Sequence, residues 1–278
     1  MSRYIKLKER LKTELSSDNW KNFINRLAGS GETPENSVLT PDNGTGHEDE
    51  AWLAQVSPAE ALGPLMGFLP CSGSLHWRAA CGIGLVTALQ AENPATREKA
   101  RVTMRRFMWH MNEESGNIGW GIPESMAETL VRSPHMADEF HRILVSYIID
   151  TGNDDNYIEH PPLLASCFWA VGRLAQEKPA LVSAHFKDLS AGLEHAAPQV
   201  RAQACLALHK LAKASGGKKT WLELDLGTKN QVRHLVNKTE TRLKELKKSS
   251  LECEDFDGDS AFTRKVSQLA DEMLWGNL

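Results

Sequence analysis

The chain has 278 residues, of which 41% are hydrophobic and 24% charged, and its formal net charge is −4. This composition is typical of a folded globular protein and excludes a disordered or fibrous chain. The negative net charge makes nucleic acid an unlikely partner, because a protein that binds duplex DNA is usually basic. No apolar run approaches the roughly 20 residues of a membrane-spanning helix. The N-terminus lacks a secretory signal pattern, so we predict a cytoplasmic protein without a membrane partner.

The five cysteines are far apart in the sequence, and no Cys-x-x-Cys pair occurs. Thiolate zinc sites and iron–sulfur clusters therefore lack their usual sequence support. We expect free thiols in a reducing compartment.

The N-terminal part divides into a helix and a linker. Residues 1–28 have the spacing of an amphipathic helix, which Gly29 ends. Residues 29–50 are rich in Gly, Ser, Thr, Pro and Asn, contain acidic residues and lack Lys and Arg, so we predict an acidic flexible linker there.

Residues 51–214 have the pattern of a repeated helix pair. The predicted helices span residues 58–69 and 75–90, 95–111 and 122–132, 135–151 and 161–176, and 179–191 and 198–214. Leu130, Leu174 and Leu211 end comparable helices at a spacing of about 40 residues, near the period of HEAT and armadillo units. Small residues such as Gly84 and Gly172 would let neighbouring helices approach closely.

A resemblance to a known family lies in the motif Pro198-x-Val200-Arg201-x-x-Ala204-x-x-Ala207-Leu208-x-x-Leu211. Trp77-Arg78-Ala79-Ala80 and Leu164-Ala165-Ser166-Cys167 carry it more loosely. The array resembles HEAT-repeat proteins, specifically the short bacterial HEAT-like repeats also found in phycobilisome lyase subunits. The resemblance implies an all-α, right-handed α-solenoid of about four to five helix pairs, with helical caps at both ends.

Residues 215–278 follow the array and are predicted as C-terminal capping helices, over 228–248 and 261–275, with an acidic break at 251–260. Within the break, Asp255 to Asp259 resembles part of a calcium-binding loop. The bidentate glutamate that ends such a loop is absent, so we expect no calcium there.

Most candidate binding residues fall at the start of, or within, the second helices of the pairs, which the resemblance places along a concave groove; Trp109 falls in a first helix. Tryptophan and arginine are the residue types that anchor protein interfaces, although core packing also explains a single tryptophan. The aromatic candidates are Trp77, Trp109, Trp120 and Trp169, and the polar candidates are Arg78, Glu124, Glu128 and Arg173.

The sequence contains no recognisable catalytic or metal-binding motif, and we expect neither a cofactor nor a metal. The function that we predict is a non-catalytic scaffold or adaptor of the bacterial cytoplasm, which binds a protein partner through the groove. Two alternatives stay open. One is an enzyme or enzyme subunit, similar to bilin lyases or to alkylpurine DNA glycosylases; the other is a self-assembling structural protein. The sequence does not decide the oligomeric state.

Overall fold

The fold is a row of helix pairs followed by a small C-terminal hairpin. The computed structural model describes residues 2–27, 56–112, 118–153, 156–216 and 229–275. Within these ranges the helices are α1 (Arg3–Leu15), α2 (Trp20–Leu27), α3 (Pro58–Met66), α4 (Ser74–Glu92), α5 (Arg97–Met111), α6 (Ile122–Arg132), α7 (Pro134–Ser146), α8 (Pro161–Glu177), α9 (Phe186–Ala191), α10 (Pro198–Ala214), α11 (Lys229–Leu246) and α12 (Val266–Trp275). The strands are β1 (Glu252–Phe256) and β2 (Ala261–Lys265). The linker predicted at 29–50 lies outside the described residues.

Four helix pairs form the array: α3 with α4, α5 with α6, α7 with α8, and α9 with α10. The second helices pack in succession, α4 on α6, α6 on α8, and α8 on α10. This arrangement confirms the predicted helical solenoid, in which each second helix is covered on two sides by its neighbours. These four helices form an inner layer, and the first helix of each pair packs outside it.

The first turns of the array helices show why they begin where they do. Pro58, Pro134, Pro161 and Pro198 each occupy the first position of a helix. A proline is favourable there because its missing N–H group would have no partner inside the helix. Ahead of α3, the backbone N–H of Ser57 donates to Oε2 of Glu60 over 2.8 Å, which satisfies one further donor.

Two glycines set the spacing of the inner layer. A Cβ atom added at Gly84 of α4 would lie 2.4 Å from Cβ of Glu128 in α6. A Cβ atom at Gly172 of α8 would lie 2.7 Å from Cα of Ala207 in α10. Both distances are below any normal carbon contact, so the helices approach this closely because these positions are glycine. The close approach that the sequence predicted at Gly84 and Gly172 is therefore confirmed.

The two ends of the array are covered by further elements. At the N-terminal end, α1 packs on α3 and α4. At the C-terminal end, α12 packs on α10 and on α11. Nε2 of His209 in α10 lies 2.7 Å from Oε2 of Glu272 in α12, which joins the last array helix to the last helix of the chain.

Three segments differ from the sequence prediction. The N-terminal helix is divided into α1 and α2, because Ser16 and Ser17 hydrogen-bond back to carbonyls of the preceding turn and end α1. Residues 179–191 contain two 3₁₀ turns before α9, because Val182, at φ −116°, leaves helical geometry. The third difference is the C-terminal hairpin, formed by residues 252–265, in place of an acidic break and the first turns of a helix.

The C-terminal hairpin pairs β1 and β2 in an antiparallel register from Glu252 opposite Lys265 to Phe256 opposite Ala261. Its turn contains Gly258 at φ +94°, a conformation that favours glycine. Oδ1 of Asp257 accepts hydrogen bonds from the N–H groups of residues 259 and 260, both over 2.8 Å. The sequence Asp257-Gly258 therefore has the chemistry of a turn.

Among the described helices, none has both the length and the apolar character that crossing a lipid bilayer requires.

Candidate partner-binding groove

The groove is the inner face formed by α4, α6, α8 and α10, and the C-terminal hairpin lies in it. Trp77 of α4 and Trp169 of α8 form its aromatic floor, with ring centroids 4.6 Å apart. Phe256 of β1 stacks on Trp77 at 5.6 Å, with the two rings 7° from parallel. The predicted groove therefore exists, and a segment of the chain itself occupies it.

Asp255 of β1 is the central contact between the hairpin and the groove, and its side chain is only 4% exposed. Its Oδ1 accepts a hydrogen bond from Nε1 of Trp169 over 3.0 Å and lies 2.5 Å from Nζ of Lys210. Arg264 of β2 lies 3.7 Å from the other carboxylate oxygen. Nζ of Lys210 also lies 5.0 Å from the Trp169 ring centroid, so the cation contacts both the carboxylate and the ring.

Glu254 shows how strongly the groove is curved. Nε1 of Trp77 in α4 donates to the Glu254 carboxylate over 3.0 Å. Nε2 of Gln203 in α10 donates to the Glu254 backbone carbonyl over 2.8 Å. One residue thus touches the first and the last of the four inner helices, which is possible only if the inner face is concave.

The turn of the hairpin reaches the N-terminal helices. Nε1 of Trp20 donates to Oδ1 of Asp259 over 2.9 Å, and this hydrogen bond, with Lys21 nearby, lowers the pKa of that carboxyl. Arg78 of α4 donates to the backbone carbonyl of Asp259. It also donates to the backbone carbonyls of Leu15 and residue 17, at the end of α1 and just beyond it. The hairpin therefore bridges the two ends of the solenoid.

A second charged cluster lies deeper, between α6 and α8. Nε of Arg173 donates to Oε1 of Glu128 over 2.9 Å, and Arg132 pairs with Oε2 of the same carboxylate. Arg132 also donates to the sulfur of Cys81 over 3.1 Å. Burial alone would raise the pKa of Glu128, but the two guanidinium groups outweigh it and hold the pKa below its ordinary value of 4.5.

Glu124 is the third buried carboxylate of the inner layer, with Oε1 3.8 Å from Nε2 of His76. His76 also places Nδ1 2.6 Å from the carbonyl oxygen of Leu69, so its ring is held from both sides. Burial opposes charge on both partners, but their mutual attraction prevails: the pKa of Glu124 is lowered and that of His76 is raised. Each partner therefore favours the charged form of the other.

The predicted site residues separate into two groups. Five lie in or directly below the groove and contact the hairpin or each other: Trp77, Arg78, Glu128, Trp169 and Arg173. Glu124 is buried in the same layer but pairs with His76 instead. Trp109 and Trp120 are 60% and 36% exposed, and their rings pack on His110 and His160. No hydrogen bond or ring contact among the described residues joins these two to the hairpin. The structure therefore brings Trp77 and Trp169 together and leaves Trp109 and Trp120 apart from them.

Sequence reasoning missed two residues that hold β1: Lys210, which pairs with Asp255, and Gln203, which donates to the Glu254 backbone carbonyl. A signal was present: Asp257-Gly258 stands between two five-residue segments, a pattern typical of a hairpin turn. The excess of acid in the same segment also complements the cations of the groove. The acidic break predicted at 251–260 is a strand and a turn of a hairpin, and two of its acids, Glu254 and Asp255, contact the groove.

Burial raises the pKa of the thiols of Cys81 and Cys253 to about 11 and about 12, so neither is a thiolate at neutral pH. In the described part of the chain, no three His, Cys, Asp or Glu residues form a group able to hold a metal ion.

A cavity of about 410 Å³ opens beside β1. Three cations line it, Lys210, Lys213 and Arg264, and so do the rings of Phe256 and Phe262. Phe262 is 40% exposed and lies in β2, where the sequence predicted the start of a helix. The cavity gives solvent access to the part of the groove that holds Asp255.

No family model matches the chain, and no curated protein matches it. Among solved structures, the chain is similar to a designed armadillo repeat protein, with 14% sequence identity and a TM-score of 0.45, over 96% of this chain and 98% of that chain. At this identity and score, the helical-repeat architecture rests on the helix packing described above, and nothing about partners follows from the similarity.

Proposed function

We propose that the protein is a non-catalytic adaptor that binds an extended segment of a protein partner in its groove. The observation that carries this proposal is the hairpin itself, since the groove holds one extended strand through side-chain donors. The indole N–H groups of Trp77 and Trp169 and the ammonium of Lys210 all point at carboxylates of that strand. Aromatic and cationic groups around a buried centre are the usual anchors of a protein interface.

The charged groups of the inner layer support a binding role rather than a catalytic one. Glu128 is held between Arg132 and Arg173, and Asp255 between Trp169 and Lys210. Carboxylates neutralised in this way are poor general bases, because their pKa is held low or their oxygens are already occupied.

The alternatives gain less support. While the acidic hairpin occupies the groove, its carboxylates already engage the cations that DNA phosphates would need, which argues against a glycosylase-like activity. No contact among the described residues favours a tetrapyrrole ligand. The likeness to repeats of the phycobilisome-lyase type therefore stays a prediction, and it concerns the repeat sequence and not the ligand. The bacterial origin and the cytoplasmic location also stay predictions.

Site-specific photo-crosslinking tests the adaptor role. A benzophenone amino acid replaces Gln176, which is exposed beside the groove cavity, and in a matched control it replaces Asp138, which is exposed on the outer helix α7. In the native cells we expect a discrete crosslinked partner from position 176 and none from position 138. A peptide from the crosslinked region of that partner is then expected to compete for the site.

Three results would contradict the proposal: equal crosslinking from both positions, none from position 176, or crosslinks only to other copies of the chain. The last result would favour the self-assembling alternative.

A further inference from the structure

The C-terminal hairpin has the properties of an internal competitor. We propose that it occupies the groove until an acidic extended segment of a partner, with the order acid–acid–aromatic of Glu254-Asp255-Phe256, displaces it. This inference rests on the proposed function, because it concerns the same groove, and it adds the chemistry of the partner and the way in which access is controlled.

The contacts that hold the hairpin are transferable. The groove supplies donors from Trp77, Trp169, Lys210 and Gln203, and the strand supplies two carboxylates and one backbone carbonyl. Neighbouring side chains of a strand point in opposite directions. Any extended segment with two adjacent acidic residues therefore places its two carboxylates as Glu254 and Asp255 place theirs. The donors of the groove therefore require an extended acidic sequence, and a segment of another protein meets that requirement as well as the hairpin does.

The hairpin contributes little to the apolar core of the array. Phe256 and Cys253 are the apolar side chains that β1 buries, whereas Phe262 and Thr263 of β2 are exposed. By contrast, α10 buries residues on all its sides, including Val200, Leu206 and Leu208 among others. Because apolar burial is the main stabilising contribution to a fold, the array can keep its helices while the hairpin leaves.

The helices on either side of the hairpin are held without it. The last helix, α12, packs on both α10 and α11, and its residues Val266, Leu269 and Met273 are buried. The hairpin is thus a loop between two anchored helices, and displacing it does not require the chain end to detach.

The charges favour replacement of the hairpin by another acidic segment over departure of the hairpin from an empty groove. Burial lowers the pKa of Lys210, and Asp255 opposes that shift, which shows that the ammonium depends on the carboxylate in its surroundings. Leaving a buried charge unpaired is unfavourable, so the Asp255 carboxylate is best replaced by another one. Lys213, which belongs to α10 and lines the adjoining cavity, offers an arriving acidic segment a first contact.

The experiment compares three full-length proteins by fluorescence anisotropy with one labelled peptide. The peptide has the sequence of residues 251–260 with Ser in place of Cys253. The proteins are the wild type, a released variant (Glu254→Ala, Asp255→Ala, Phe256→Ala) and a matched control (Thr263→Ala, Lys265→Ala). The control changes exposed side chains of the outer strand and leaves every groove contact in place.

We expect the released variant to bind the peptide roughly tenfold or more tightly than the wild type, because apparent affinity falls with the fraction of open groove. The control should bind like the wild type. A peptide with Glu254→Gln and Asp255→Asn should bind the released variant at least about tenfold more weakly. Circular dichroism and urea unfolding establish that each variant is folded.

A second measurement uses only the wild type and so does not depend on a variant. Hydrogen exchange followed by mass spectrometry reports the amides of residues 252–256 with and without excess peptide. Displacement predicts faster exchange in this segment when the peptide binds, with no change in α6 and α8.

The outcomes separate this inference from the proposed function. Equal binding to the wild type and the released variant, without faster exchange in the hairpin, overturns the competition and leaves the adaptor role standing. No binding to any folded protein overturns both. Peptide-reversible dimers of the wild type in light scattering, lost in the released variant, would show that the occupant is a second copy and overturn the partner proposed here.

Discussion

Two buried carboxylates, Glu128 and Asp255, are paired in similar ways but belong to different parts of the molecule. Glu128 and its partners Arg132 and Arg173 all come from α6 and α8, so the cluster is internal to the array. Asp255 comes from the hairpin, and its partner Lys210 comes from α10. The first cluster fixes how two helices stack, whereas the second holds a separable segment as a protein interface would. The same kind of ion pair thus serves folding in one place and binding in the other.

The largest expected effect is at Glu128. Replacing it with Ala removes the carboxylate that two guanidinium groups share, and breaking a buried pair in this way typically costs 3–5 kcal/mol. Arg173 keeps its ion pair with Glu177, and Arg132 keeps its hydrogen bond to the sulfur of Cys81, which places the cost at the lower end of that range. Both arginines keep partial contact with water, so we expect the free energy of unfolding to fall by about 3 kcal/mol in urea titrations. Glu128→Gln, which retains the shape, should lose less. A loss below about 1 kcal/mol for Glu128→Ala would show that the cluster does not hold the stack.

The two buried carboxylates of α6 predict a loss of stability in acid. The folded state lowers the pKa of Glu128 and of Glu124 below the ordinary 4.5. The stability that these two carboxylates contribute is therefore complete at pH values above 4.5. It is lost as the pH falls through their lowered folded-state pKa values. Urea midpoints measured from about pH 6 to about pH 3 should decline, and less steeply in Glu128→Gln. An unchanged slope in that variant would contradict the assignment.

At Asp255 we expect a smaller and more local effect. Asp255→Ala removes the acceptor of Trp169 and Lys210, but the hairpin can open and let water reach the ammonium. The global free energy of unfolding should fall by about 1 kcal/mol, while amides of residues 252–256 lose most of their exchange protection. Thr263→Ala is the matched control in the outer strand. A global loss as large as that of Glu128→Ala would mean that the hairpin is part of the folding core.

The sequence predicted the array because its signals are local and periodic. Helix-starting prolines such as Pro161 and Pro198, and small residues such as Gly172, act within one helix or between successive helices. The break between α1 and α2 was missed because two serines end the helix through side-chain hydrogen bonds, which apolar spacing does not show.

The site was predicted only in part, because its contacts join distant parts of the chain. Trp77 and Trp169 do lie on the inner face of the array, but their partners, Glu254 and Asp255, lie 177 and 86 residues away. No periodicity within a helix indicates such a pairing. The acidic composition and the Asp-Gly turn were visible, but only the packing of the array shows where that segment lies.

The smallest expected effect is at Trp109, and it sharpens the contrast between the groove and the outer edge. Trp109 is 60% exposed on α5, so Trp109→Ala should change the free energy of unfolding by less than about 0.5 kcal/mol. It should also leave peptide binding by the released variant unchanged, whereas Trp169→Phe in the same background, which removes the indole donor to the acidic strand, should weaken it. Urea titration and anisotropy measure both effects. If Trp109→Ala weakened the peptide as much as Trp169→Phe, the binding surface would extend beyond the groove, and the division between the two pairs of tryptophans would not hold.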